Sequence, residues 1–151
     1  MLLNYISLRH KLLKLVGCLI MFYHQIYVAY GMQNKKYVDV YGVVKDAFLT
    51  DKGYTNELSK HINSEVFNKT NIYKVYAVNE PNFKKPFKID FSLEEVSQRK
   101  LFNIVIVKMI YSVEIKDLNN QVVGGSRNIP IMFISRKTNN EWYIFYKSEK
   151  A

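Results

Sequence analysis

The chain has 151 residues, 48% hydrophobic and 23% charged, with twelve Tyr and nine Phe; this excludes a disordered chain and gives room for one aromatic-rich domain. The formal charge of +9 is inflated by the N-terminus, because Arg9, Lys11 and Lys14 and no acid lie before position 32, leaving +6 on the rest. Lys35 and Lys36, Lys84 to Lys88, Arg99 and Lys100, and Arg136 and Lys137 are scattered groups, a pattern that fits a solvated surface or an anionic envelope and disfavours nucleic acid.

The first thirty-one residues are built like an export signal or membrane anchor: three basic residues, then an apolar run from Leu15 to Gly31. Three fates are open. A small-x-small pattern at Ala29, Tyr30 and Gly31 suits cleavage before Met32. Leu15 to Gly31 reaches the lower length limit of a retained transmembrane helix, with His24 and Gln25 weakening the span and Tyr23, Tyr27 and Tyr30 suiting a headgroup layer. Leu15-Val16-Gly17-Cys18 reads as a lipidation box with Cys18 as the modified residue, although the longer apolar run follows it. A buried helix of a cytoplasmic protein is the plainer alternative, with Cys18 as a small core residue. Cys18 is the single cysteine, so no disulfide within the chain is available.

From Asn34 to Asp51, Tyr37, Tyr41, Val44 and Phe48 recur at helical spacing and predict an amphipathic helix, with Gly53 as its stop. A second helix is expected from Asn56 to about Phe67. Ile72 to Val78 reads as a strand, and Phe87, Ile89 and Phe91 as another. Ser92 with Glu95 has capping-box spacing and predicts a helical turn. The clearest strand runs from Leu101 to Lys116, with Val105, Val107, Met109, Tyr111, Val113 and Ile115 on one face. A turn at Asp117 to Asn120 follows, then a bulge or bend at Gly124-Gly125. Ile129 to Arg136 and Trp142 to Lys147 form the closing hairpin around Thr138, Asn139 and Asn140. Helices first and antiparallel strands after predict an α+β fold, with residues 1–31 as signal or anchor and 33–148 as one domain.

The closing hairpin, with its polar turn and Glu141-Trp142-Tyr143-Ile144, resembles the nuclear transport factor two-like superfamily, also called cystatin-like or snoaL-like, in small exported proteins of Gram-positive bacteria. The resemblance implies N-terminal helices packed on a curved antiparallel sheet enclosing a cone. It also implies a family of isomerases, dehydratases, binding proteins and assembly domains, so it does not choose among them.

An enzyme of that kind needs an Asp or His facing the cone and a Tyr or protonated acid as oxyanion partner. Asp90 and His61 are the available bases, and both read as water-facing. Tyr73, Tyr76, Tyr111, Tyr143 and Tyr146 are candidates to line a small-molecule pocket, with Trp142 stacking on a ligand or anchoring the core. Tyr73, Tyr111 and Trp142 are the ligand-binding candidates retained. No catalytic set is assigned, and no metal or cofactor is expected: His10, His24 and His61 are the only histidines, and Gly124-Gly125 opens no helix. The expectation is a non-catalytic binding or assembly protein outside the cytoplasm, secreted or membrane-associated through its N-terminus. Its partners would be an envelope protein, a second copy or a small ligand; a lyase or isomerase acting on a small apolar molecule, or a subunit of an envelope complex, are the alternatives.

Overall fold

The computed structural model describes residues 16–21 and 35–149. The chain divides into two compact units, Met1–Lys35 and Lys36–Ala151. Of the first, residues 16–21 are helical, and Cys18 within them is exposed. The cleavage site and most of the proposed span lie outside the described residues; among the described residues no helix is long and apolar enough to cross a membrane.

The second unit is α+β. Four short helices, α1 (Tyr41–Leu49), α2 (Asn56–Ser59), α3 (Ser64–Asn68) and α4 (Ile72–Val75), precede four strands, β1 (Lys88–Leu101), β2 (Ile104–Lys116), β3 (Val122–Thr138) and β4 (Glu141–Glu149). The strands form one antiparallel sheet in the order β1-β2-β3-β4.

The first helix is shorter than its periodicity predicts. Residues 35–40 are not helical, and Val38 and Val40 are buried on either side of exposed Asp39. Those valines satisfy a two-residue alternation as well as a helical stripe, and a side chain from the sheet decides between them. Gln98 Oε1 accepts from the backbone N–H of Tyr37 and Val38, at 2.7 and 3.0 Å, and its Nε2 donates to Val38 O at 2.7 Å. At the other end α1 stops before Gly53. Its closing carbonyls, Ala47 O and Thr50 O, accept from Asn71 Nδ2 at 3.0 and 2.8 Å, so a distant amide replaces the expected glycine stop.

The second predicted helix is two helices. Thr55 and Asn63 each cap one, accepting from Leu58 N and Glu65 N. The break at 61–63 exists because this backbone is used elsewhere: Asn63 N donates to Ile144 O and Ile144 N donates to His61 O, both at 2.8 Å, a parallel bridge along the edge of β4.

Ile72 to Val78 is not a strand. Asn71 O accepts from Lys74 N and Val75 N, starting the single turn α4, which buries Ile72 completely and leaves Val75 exposed. Tertiary anchoring at Asn71 and Ile72 overrides β propensity here. Conversely, Ser92 and Glu95 start no helical turn. They lie inside continuous β1, with Ser92 opposite Ser112 and Glu95 opposite Met109, and the ladder to β2 outweighs the local cap.

The predicted face of β2 is the core: Val105, Val107, Met109, Tyr111, Val113 and Ile115 are all buried. Helical residues cover this face, and the Phe48 ring lies 5.1 Å from that of Phe91 and 4.8 Å from that of Tyr111. Each large apolar side chain removed from water here contributes about 1.5–3 kcal/mol. On the opposite face Ile104, Ile106 and Ile134 are half-buried and Lys108 and Glu114 are exposed.

Register shifts bend the pattern at three places that matter below. Val96 is an extra residue on β1. The pairing of β2 with β3 shifts on both sides of Gly124-Gly125, as the glycine pair suggests. On β4, Phe145 is extra, so that Ile144 opposes Ser135 but Tyr146 opposes Ile134. Tyr146 therefore leaves the face of Trp142 and Ile144, and Lys147 and Glu149 take its place opposite Phe133 and Ile131.

Candidate functional site

The middle of the helix-covered face is filled by Phe48, Phe91 and Tyr111, and polar groups collect at its margin. Tyr111 Oη donates to Glu149 Oε1 at 2.7 Å, and Lys147 Nζ lies 2.8 Å from Glu149 Oε2 and donates to Lys69 O. Burial, then the hydrogen bond to the Glu149 carboxylate, pushes the Tyr111 hydroxyl well above the ordinary tyrosine range. Burial also acts to raise Glu149, but the donors Lys147 and Tyr111 outweigh it and hold the carboxyl below its usual value. Nearby, Tyr76 Oη and Ser126 Oγ share a hydrogen bond of 2.7 Å. Both oxygens of Glu149 are engaged, so this relay ties β2, β4 and the end of α3 together. It is a structural network by its saturation.

Open space lies elsewhere. A groove of about 780 Å³ runs between the end of α1, α4 and the segment before β1, lined among others by Asp51, Asn71, Tyr73, Lys74, Lys85 and Phe87. Burial, then the Asp51 carboxylate, raises the Tyr73 hydroxyl, which stays a neutral donor. With cations, an anion, amides and an aromatic ring on its walls, the groove suits a small polar molecule or an extended peptide carrying an apolar group. A second groove of about 590 Å³ on the opposite face of the sheet is lined by Asp90, Ser92, Glu114, Arg127 and the Gly124-Gly125 pair.

The residues singled out by sequence do not form one site. Tyr73 lines the larger groove, whereas Tyr111 is buried and Trp142 is half-buried against the core. Tyr111 opposes Ile129 and Trp142 opposes Lys137, so the two are separated by roughly 26 Å of strand at about 3.3 Å per residue. Asp90 is exposed on the face away from the helices, as its alternation predicts. His61 is half-buried between two carboxylates, with Nε2 3.8 Å from Glu57 Oε1 and Nδ1 4.0 Å from Glu141 Oε2. Among the described residues no group of three His, Cys, Asp or Glu side chains is placed to hold a metal.

Sequence reasoning missed Lys147, Glu149, Gln98 and Glu95. The phase of β4 hides the first two, because it is reversed by the bulge at Phe145. Glu95 Oε1 accepts from Gln98 Nε2 at 2.9 Å, and its Oε2 is buried without a hydrogen-bond partner. The signal available for it was its place in the alternation of Phe91 and Leu93, which capping-box spacing obscured. Comparison with known proteins gives no match to a family model and none to a curated protein.

Proposed function

We propose that this is an extracytoplasmic binding or assembly protein, secreted or held at the membrane through its first thirty-one residues, whose second unit is a nuclear transport factor two-like domain with its sheet bent into a cone. The observation that carries the non-catalytic reading is the filling of the helix-covered face by Phe48, Phe91 and Tyr111, with the adjoining Tyr111, Glu149 and Lys147 saturated by one another. The open groove at Tyr73 is where this reading seats its ligand or the segment of an envelope partner. A photo-crosslinking residue in place of Tyr73, in the natively expressed chain, tests it together with intact mass and membrane fractionation. Capture of a discrete peptide or small molecule at position 73 from a membrane or exported fraction supports the reading; a full-length cytoplasmic chain without crosslinks removes it.

A lyase or isomerase is the second reading, and the unpartnered Glu95 Oε2 is the observation in its favour. It requires a substrate-sized opening beside Glu95, and Glu95→Gln would then abolish turnover while leaving the fold intact.

A further inference from the structure

The β1–β2 hairpin ends in a feature that folding does not require. Phe102 at its tip is 95% exposed and adopts φ of 54°, a left-handed conformation that suits Gly or Asn and is strained for a bulky side chain. Leu101 beside it is 49% exposed. An aromatic ring in that position gains nothing from the core and carries both a backbone cost and an exposure cost.

Its surroundings are cationic. Arg99 and Lys100 precede the tip on β1. Arg136 opposes Ile104, and Lys137 N donates to Asn103 O at 3.1 Å, so the end of β3 lies against the same turn. None of the ion pairs among the described residues involves Arg99, Lys100, Arg136 or Lys137, although the Arg136 guanidinium lies over the Phe145 ring, 5.3 Å from its centroid. Glu141, the acid on the adjoining turn, is directed to His61. The opposite end of the sheet also has exposed apolar residues, Leu118 and Val122, near Lys84 and Lys88, but there the cations are mixed with acids. Leu118 is 59% exposed, Asp117 lies in the same turn, Asp90 and Glu114 oppose each other on the adjoining strands, and Lys116 is paired with Glu114.

We propose that the β1–β2 tip is a membrane contact, in which Phe102 and Leu101 enter the headgroup and upper acyl region of an anionic bilayer while Arg99, Lys100, Arg136 and Lys137 hold the lipid phosphates. An apolar wedge ringed by cations is complementary to that surface in both its parts: basic residues near an anionic leaflet attract it, and an aromatic side chain suits the interface. A protein partner matching only the apolar tip would leave Arg99, Lys100 and Lys137 unexplained. The contact stands independently of the groove at Tyr73 and of the fate of the N-terminal segment.

The test places a reporter at the tip, so that membrane binding by residues 1–31 is not mistaken for it. Phe102→Trp is made in the full chain with Trp142→Phe, and fluorescence is followed on phosphatidylglycerol-containing and on pure phosphatidylcholine vesicles. The expected result is a blue shift and quenching by brominated acyl chains on the anionic vesicles only, with Arg99→Gln and Lys100→Gln together weakening that partition roughly 25-fold, about fivefold per charge. No shift on either vesicle while the chain sediments with lipid, or an equal shift on both, overturns the proposal. Should Trp142→Phe fail to fold, a spin label at Phe102→Cys with Cys18→Ser reads immersion depth directly, and a water-exposed label on anionic vesicles overturns it equally.

Discussion

Gln98 and Phe102, four positions apart, show the two ways in which a single side chain departs from the pattern of its strand. Gln98 is a buried polar residue whose amide completes the backbone of Tyr37 and Val38 and also donates to Glu95. Truncation to Ala strands two buried groups of the 35–40 segment, so Gln98→Ala is expected to lower unfolding free energy by about 2 kcal/mol, read as a reduced urea midpoint. Phe102 is the reverse case, an exposed apolar residue in a strained conformation. Phe102→Asn is expected to raise the thermal midpoint, with about 1 kcal/mol recovered from the left-handed backbone, while removing any contact the ring makes outside the molecule. Neither role was legible in the sequence. Gln98 lies in a polar run beside Arg99 and Lys100, and only the tertiary partner 60 residues away marks it as interior.

At the scale of elements, strands with strict alternation were readable and helices with shared alternation were not. The buried set of β2 follows from period two alone, because both its neighbours pair along the full length. The helical region failed wherever a remote group took the backbone: Gln98 at 37–38, Asn71 at the end of α1, Ile144 at 61–63. The glycine pair on β3 was recognised as a bend, and the structure supplies the reason. A Cβ on Gly125 would lie 2.7 Å from Val113 O, and one on Gly124 would lie 2.7 Å from the Tyr76 ring. Gly125→Ala meets backbone that has little freedom to move and is expected to cost about 1–3 kcal/mol. Gly124→Ala displaces the ring that bonds Ser126, and the smaller loss expected of it orders the two variants in a urea titration.

For the whole molecule, the titrating groups define a window of stability. Asp117 is buried, and although burial raises its carboxyl, backbone N–H groups of Lys84, Gln121 and Asn119 outweigh that and hold it low, as Lys147 and Tyr111 do for Glu149. A carboxyl lowered by folding stabilises the fold above its unfolded value, near 4, and this contribution is lost as pH falls through the lower folded value. Tyr111, raised by folding, contributes fully below about 10, and its contribution is lost as pH rises toward the folded value. The urea midpoint is therefore expected to be flat from about pH 5 to 9 and to fall on both sides, with Asp117→Asn flattening part of the acid limb. What sequence showed of the candidate site was Tyr73, one of several tyrosines whose rings and hydroxyls suit a pocket wall; the groove around it depends on loop packing that no local pattern encodes. The hydrogen bond from Lys147 to the Lys69 carbonyl joins residues 78 positions apart, and Ile144 and Glu149 close onto His61, Asn63 and Tyr111 in the same way. The helices between Asn56 and Asn68 thus depend on the last strand for their own completion. In a chain made from its N-terminus, the backbone groups of His61, Asn63 and Lys69 therefore wait for these partners until β4 is made.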